Sequence, residues 1–132
     1  MVTDVSASSS FEFATATRVL FGPGRLAEAP EAIRGLGGSR VLLVTGANPT
    51  RARPLQDALE RLGLGVTVFS VDGEPTVERA REGTARVAEA GCDVVVALGG
   101  GSALDAGKAI AALAANGGDP LDYLEVIGRG QP

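Results

Sequence analysis

The residues with the clearest chemical potential are three consecutive glycines at positions 99–101, followed by Ser102. They separate a short apolar run, residues 93–98, from an alanine-rich segment with helical character. Glycines at the start of a helix let a ligand approach the backbone closely. The free N–H groups of the first turn, together with the positive end of the helix dipole, attract anions. The arrangement therefore predicts a binding site for a phosphate or pyrophosphate group.

The glycine segment matches neither of two common phosphate-binding motifs. Five residues separate Gly101 from Gly107, whereas a Walker A loop has four, and Ala109 occupies the position of the Ser or Thr that holds magnesium. In the G-x-G-x-x-G dinucleotide motif, Leu104 would occupy the third glycine position. The segment therefore predicts an anion-binding site, but its motif does not identify the ligand.

A purely structural interpretation of the same segment stays open. The glycines would then form a tight turn between a strand and a helix, and Ser102 followed by Asp105 would be a capping box with Ser102 as the N-cap. Asp105 is compatible with both interpretations. Lys108 is expected to be an exposed helix residue. Cys92, the single cysteine, is expected to pack as a small hydrophobic side chain.

The composition excludes several classes of chemistry. The chain of 132 residues contains no histidine, so a His-based triad, an H-E-x-x-H zinc site and a histidine general base are excluded. A net charge of -4 without a basic stripe argues against a nucleic-acid partner. No apolar run approaches the roughly 20 residues that span a bilayer. One cysteine and a polar N-terminus without leader features predict a cytoplasmic location.

Strand-like and helix-like segments alternate along the chain with short glycine-containing loops. Residues 1–10 are expected to be a disordered tail, and residues 11–132 to form one domain. Such alternation predicts an α/β fold with a parallel sheet covered by helices on both faces. A strand or hairpin is predicted over 11–21, and further strands over 40–45, 66–71 and 93–98. Helices are predicted over 25–36, 55–62, 77–88 and 102–115, with a short helical turn near 119–124.

Four segments together resemble the iron-containing, metal-dependent (group III) alcohol dehydrogenases, a branch of the larger family that includes glycerol dehydrogenase and dehydroquinate synthase. They are residues 18–24, 41–45, 74–76 and 99–111, which occur in the family's order and spacing. The resemblance implies the Rossmann-like N-terminal domain of the dehydroquinate synthase-like fold. It also implies an NAD or NADP cofactor, with the pyrophosphate over Gly100, Gly101 and Ser102 and with Asp105 near the nicotinamide ribose.

The resemblance leaves the choice between NAD and NADP open. Many family members have an Asp after the first Rossmann-like strand, which would bind the adenosine ribose hydroxyl and repel a 2′-phosphate. This chain has Gly46 at that position. Arg51 and Arg53 follow within a few residues; they would either pair with such a phosphate or remain solvated.

The resemblance also implies a catalytic metal, iron or zinc, held by an Asp and three His of a helical C-terminal domain. The sequence ends at Pro132 before any such segment. We therefore expect the cofactor domain of an alcohol dehydrogenase that is inactive alone. In the complete enzyme, hydride would pass between the cofactor and a small alcohol or aldehyde. Whether that enzyme forms a homo-oligomer stays open. The alternatives are a stand-alone nucleotide-binding or regulatory module and a truncated product without function.

Overall fold

The computed structural model describes residues 18–123, in which strands and helices alternate. The strands are β1 (Arg40–Thr45), β2 (Gly65–Ser70) and β3 (Val94–Leu98). The helices are α1 (Ala29–Arg34), α2 (Arg53–Arg61), α3 (Val77–Ala90), α4 (Gly101–Asn116) and α5 (Pro120–Tyr123). Short 3-10 helices, Arg25–Glu28 and Pro49–Ala52, directly precede α1 and α2. The predicted helices and the three later strands are thus confirmed, with boundaries that differ by a few residues.

The central element is β1, which pairs in parallel with both other strands in the order β2-β1-β3. Val41 lies opposite Val66 on one side and opposite Val94 on the other. Residues 41–44 are apolar and at most 1% exposed. A strand buried on both faces reads as a continuous apolar run because neither face meets water.

The two faces of the sheet bury separate apolar cores. Because successive side chains of a strand point to opposite faces, β1 contributes to both. Val41 and Leu43 pack against Ile33, Ala52, Leu55, Leu59 and Leu64, whereas Leu42 and Val44 pack against Phe69, Val71, Ala106 and Ile110. Helices α1 and α2 therefore cover one face, and α4, with Val87 of α3, covers the other. This confirms the predicted α/β class.

The N-terminal part of the prediction needs correction. Residues 18–21 were expected to complete a strand or hairpin over 11–21, but they have no regular structure. Phe21 is 95% exposed, because no strand among the described residues pairs with this segment. In the predicted helix over 25–36 only Ile33 is buried, while Leu26 and Leu36 are more than half exposed. Residues 11–17 and the expected tail 1–10 lie outside the described residues.

The third strand was expected to be buried on both faces, and that expectation is wrong for the described residues. All five residues of β3 are half-buried, because within residues 18–123 this strand pairs only with β1 and forms one edge of the sheet. Within the same residues, no helix is long and apolar enough to cross a membrane.

The amino-terminal ends of β1 and β3 are joined through the carboxylate of Asp93. Its Oδ1 atom accepts hydrogen bonds from the backbone N–H groups of Arg40 at 2.8 Å and Ser39 at 2.9 Å. Oδ2 also accepts from the Ser39 hydroxyl at 3.2 Å. The donors, first Arg40 N–H and then Ser39 N–H, favour the ionised carboxylate and lower the pKa of Asp93.

We expect Asp93 to make the stability of the fold depend on pH, with a loss of stability at acidic pH. A carboxylate whose pKa is lower in the folded state stabilises the fold above its unfolded pKa of about 3.9 and loses this contribution as the pH falls through the folded pKa. Asp93→Asn should lower the melting temperature at pH 7 and reduce the difference between pH 7 and acidic pH.

The control is Asp72→Asn, because Asp72 is exposed and makes no hydrogen bond or ion pair within residues 18–123. Thermal unfolding by circular dichroism between pH 7 and pH 3 checks both variants. Equal melting temperatures for Asp93→Asn and Asp72→Asn at pH 7 would contradict the role given to Asp93.

Candidate cofactor site

The topology creates a crevice at the carboxyl ends of β1 and β3. After β1 the chain enters α2, which packs on one face of the sheet, and after β3 it enters α4, which packs on the other. The two adjacent loops therefore diverge. Ligands of open α/β sheets bind at this kind of topological switch point. Gly46 follows β1, and Gly99 follows β3, so both lie at the crevice.

The two loops meet at glycine backbones. A Cβ atom added to Gly99 would lie 3.5 Å from the backbone nitrogen of Gly46 and 3.0 Å from the Cβ atom of Ala103. Gly99 also has φ near +153°, a conformation that side-chain-bearing residues rarely adopt. The fold itself therefore requires glycine at position 99, and this part of the tight-turn interpretation is correct.

The other glycines of the crevice are not required by the fold. Apart from their chain neighbours and, for Gly101, the backbone of its own helix, Gly46, Gly100 and Gly101 have no atoms within 4 Å of the position where a Cβ would lie. None of the three has a positive φ. Gly100 has φ -80° and ψ -168°, which is ordinary extended backbone. Since neither strain nor crowding accounts for these glycines, the open space beside the backbone favours the anion-site interpretation.

Helix α4 begins without a side-chain cap. Its N-cap is Gly100, whose carbonyl accepts from Leu104 N–H at 3.1 Å, and no side chain bonds to the N–H groups of the first turn. The predicted capping box with Ser102 as N-cap is therefore wrong, because the helix already begins at Gly101. Asp105 is exposed and lies beyond the first turn. The first-turn N–H groups remain available to an anion.

A residue that the sequence analysis missed supports the β1 side of the crevice. Thr45 is 1% exposed, and its hydroxyl donates to the carbonyl oxygen of Gly46 at 3.1 Å. Its own carbonyl accepts from Val71 N–H at 2.8 Å. Thr45 therefore fixes the peptide that follows β1. In the sequence, the feature that pointed to Thr45 was its hydroxyl at the end of an otherwise apolar strand.

The Glu74-Pro75-Thr76 segment forms the start of α3. The Thr76 hydroxyl accepts from Arg79 N–H at 3.1 Å and caps the helix. The Arg79 guanidinium lies 4.1 Å from the centre of the Phe69 ring and donates to the carbonyl of Ser70 at the end of β2. These contacts give the segment a structural role, since they attach α3 to the carboxyl end of the sheet.

Two further side chains behave as the sequence predicts. Lys108 is exposed on α4. Cys92 is half-buried against the core that contains Leu42, and burial raises the pKa of its thiol because the thiolate is poorly solvated there. Among residues 18–123 no group of three or more potential ligand side chains could hold a metal ion.

Comparison with known proteins decides the family. A sequence profile of the iron-containing alcohol dehydrogenases matches residues 16–132. The chain belongs to the iron-containing alcohol dehydrogenase family. It is 39% identical over 118 residues to alcohol dehydrogenase 4 of Schizosaccharomyces pombe, which aligns 86% of this chain with 28% of that protein.

Solved structures of the family share the fold. NADH-dependent butanol dehydrogenase A from Thermotoga maritima superposes with a TM-score of 0.73 and 27% identity, covering 86% of this chain and 30% of that one. Sulfoacetaldehyde reductase from Bifidobacterium kashiwanohense, solved in complex with NAD+, gives a TM-score of 0.74 and 25% identity, covering 89% of this chain and 32% of that one. The chain thus spans about 30% of the length of these family members.

If the crevice glycines contact a ligand, substituting them should change ligand binding and fold stability to different extents. Gly101→Val should change the free energy of unfolding by less than about 1 kcal/mol, since valine is not a worse helix former than glycine. It should weaken binding of ADP-ribose about tenfold or more, because its methyl groups enter the ligand space. Gly99→Val should instead destabilise the fold by about 1–3 kcal/mol. Urea unfolding and isothermal titration calorimetry measure both effects.

A result in which Gly101→Val binds ADP-ribose with parental affinity would show that the glycines form only a turn.

The corrected helix start changes the expectation for Ser102. Ser102→Ala should alter the free energy of unfolding by less than about 0.5 kcal/mol, because this hydroxyl does not cap the helix. Thr76→Ala, which removes the hydroxyl cap of α3, should cost about 1 kcal/mol. Urea unfolding of both variants tests the difference. Equal losses would restore Ser102 as a cap, while a drop in ADP-ribose affinity for Ser102→Ala alone would indicate a phosphate contact.

Proposed function

We propose that this chain is the NAD(P)-binding domain of a metal-dependent alcohol dehydrogenase. The observation that carries the proposal is the set of three glycines, Gly46, Gly100 and Gly101, which face open space at a switch-point crevice without any need from the fold. Family membership supports the same function, since relatives include NADH-dependent butanol dehydrogenases and a 1,3-propanediol dehydrogenase. A small alcohol or aldehyde is the proposed substrate of the whole protein.

The residues of the crevice fit a dinucleotide. The uncapped N–H groups at the start of α4 would receive the pyrophosphate, with the hydroxyl of Ser102 as a further donor. Asp105 is proposed to lie near the nicotinamide ribose, and Gly46 near the adenosine ribose. Thr45 would keep the Gly46 peptide in place. When bound, the nicotinamide supplies a hydride acceptor or donor.

The residues of this chain do not fit the family's metal. A catalytic iron or zinc needs several oxygen or imidazole ligands, but the sequence has no histidine. The residues from 18 to 123 contain no cluster of other ligands. The proposal therefore assigns cofactor binding to this chain and derives no chemical step through a metal.

The cellular setting is part of the proposal. A single cysteine in the chain supports a cytoplasmic location. The acidic net charge supports a small-molecule cofactor over a nucleic-acid partner. Self-association is also proposed, through the edge of β3 that has no strand partner among the described residues.

The purified chain should bind ADP-ribose and the dinucleotide weakly, with a Kd of about 1 mM or somewhat lower, near -4 to -5 kcal/mol. We expect weak binding because the groups that contact the ligand are mainly backbone N–H donors. It should oxidise no alcohol with added Fe²⁺ or Zn²⁺, because it supplies no metal site. Calorimetry and an NADH absorbance assay check these outcomes, with Gly101→Val as the non-binding control.

Absence of binding at millimolar ADP-ribose would overturn the cofactor assignment. Metal-dependent turnover, with contaminating enzyme excluded by mass spectrometry, would overturn the assignment of binding without catalysis. Tight binding without turnover would instead favour a stand-alone nucleotide-binding module.

A further inference from the structure

Arg79 is a charged side chain of α3 that contacts the carboxyl end of the sheet. It lies in the first turn of the helix, where its backbone N–H is held by the Thr76 hydroxyl. The guanidinium donates to the Ser70 carbonyl and to the carboxylate of Glu82, and it lies 4.1 Å from the centre of the Phe69 ring. The half-buried guanidinium is therefore fixed against the last two residues of β2.

The Ser70 carbonyl belongs to a peptide group that continues towards the crevice. This peptide group joins Ser70 to Val71, and its N–H, on Val71, donates to the Thr45 carbonyl at 2.8 Å. The Thr45 carbonyl in turn belongs to the peptide group that joins Thr45 to Gly46. Two hydrogen bonds and two peptide groups thus connect the Arg79 guanidinium to the backbone nitrogen of Gly46.

The backbone of Gly46 is also held from its other side. The Thr45 hydroxyl donates to the Gly46 carbonyl at 3.1 Å and fixes the peptide group that follows. Thr45 and Val71 are each 1% exposed, so water competes little for these bonds. Hydrogen bonds in series polarise one another where the local dielectric is low. A cation at the start of the series therefore strengthens the bond that holds the Gly46 peptide.

We infer that Arg79 is a positioning residue for the adenosine end of the dinucleotide. It acts without touching the ligand, because it fixes the Gly46 backbone through the Ser70 and Thr45 carbonyls. The inference rests on the proposed function, in which the adenosine ribose lies near Gly46 and the pyrophosphate lies over the start of α4. Since Arg79 acts from the β2 side, its loss should disturb the ribose end and leave the α4 end unchanged.

Two ligands separate these ends of the crevice. Inorganic pyrophosphate should occupy the start of α4 alone, whereas ADP-ribose should use both ends. Arg79→Met should raise the Kd of ADP-ribose about fivefold, which corresponds to one net hydrogen bond, and leave the Kd of pyrophosphate unchanged. NMR titration of the isotope-labelled full chain measures both Kd values. In the same spectra, the Val71 amide of the variant should exchange faster with deuterated water.

Three further variants isolate the contact with Ser70. Arg79→Lys should raise the Kd of ADP-ribose only about twofold, because an ammonium can still donate to the Ser70 carbonyl. Glu82→Gln removes the ion pair of Arg79 but not this contact, and it should change neither Kd. Arg81→Met is the matched control, because Arg81 lies on the same helix and binds Asp119, a residue outside the sheet, at 2.6 and 2.8 Å. It should also change neither Kd.

Melting curves establish that each variant is folded before it is titrated. Arg79→Met should fold, because methionine is a good helix former and its thioether packs well against an aromatic ring. If it does not fold, Arg79→Gln, which is uncharged and also a good helix former, takes its place in the titrations with the same expected result.

Parental ADP-ribose affinity in the folded variant, an equal loss of pyrophosphate affinity, or the same loss in Arg81→Met would overturn this inference and leave the proposed function standing. Absence of pyrophosphate binding by the parent chain would overturn the division of the crevice into two ends, and this inference with it. If the parent chain did not bind ADP-ribose, the proposed function and this inference would both fall.

Discussion

The burial of β1 on both faces is the constraint on which the rest of this structure depends. Four apolar side chains, residues 41–44, are essentially removed from water, and alternate members of this run face opposite cores. Each core holds side chains from helices that come from different parts of the sequence. The hydrophobic free energy of one strand therefore stabilises two layers of helices at the same time.

A strand held in this way also decides where a ligand can bind. Because β2 and β3 pair on either side of β1, the chain must cross over the sheet between them, and the loops after β1 and β3 lead to opposite faces. The gap between diverging loops is the crevice. Thr45 and Gly46 border this crevice because they directly follow the buried run 41–44. Packing and binding thus share one structural cause.

The glycines divide between these two tasks. Gly83 and Gly107 bring α3, α4 and β3 close together, since an added Cβ would lie 2.2 Å from Ile110 and 2.7 Å from Ala97 respectively. Gly99 has a comparable role between the loops. At the crevice positions Gly100 and Gly101, an added Cβ would meet no atoms beyond the local backbone and chain neighbours. Open backbone beside an uncapped helix start can attract an anion although the chain is acidic, because the helix dipole and N–H groups act over short range.

The sequence by itself determined the class of fold and the order of its elements, because apolar runs, helical spacing and glycine breaks are local properties that reflect burial directly. The glycine segment marked an anion site, and the resemblance to a known family added Gly46, Gly100, Gly101, Ser102 and Asp105 as candidate cofactor contacts. Only the tertiary structure decided that β3 is an edge strand, that α4 begins before Ser102, and that Thr45 supports Gly46. Strand order, helix starts and contacts between loops depend on neighbours distant in the chain, which no local pattern encodes.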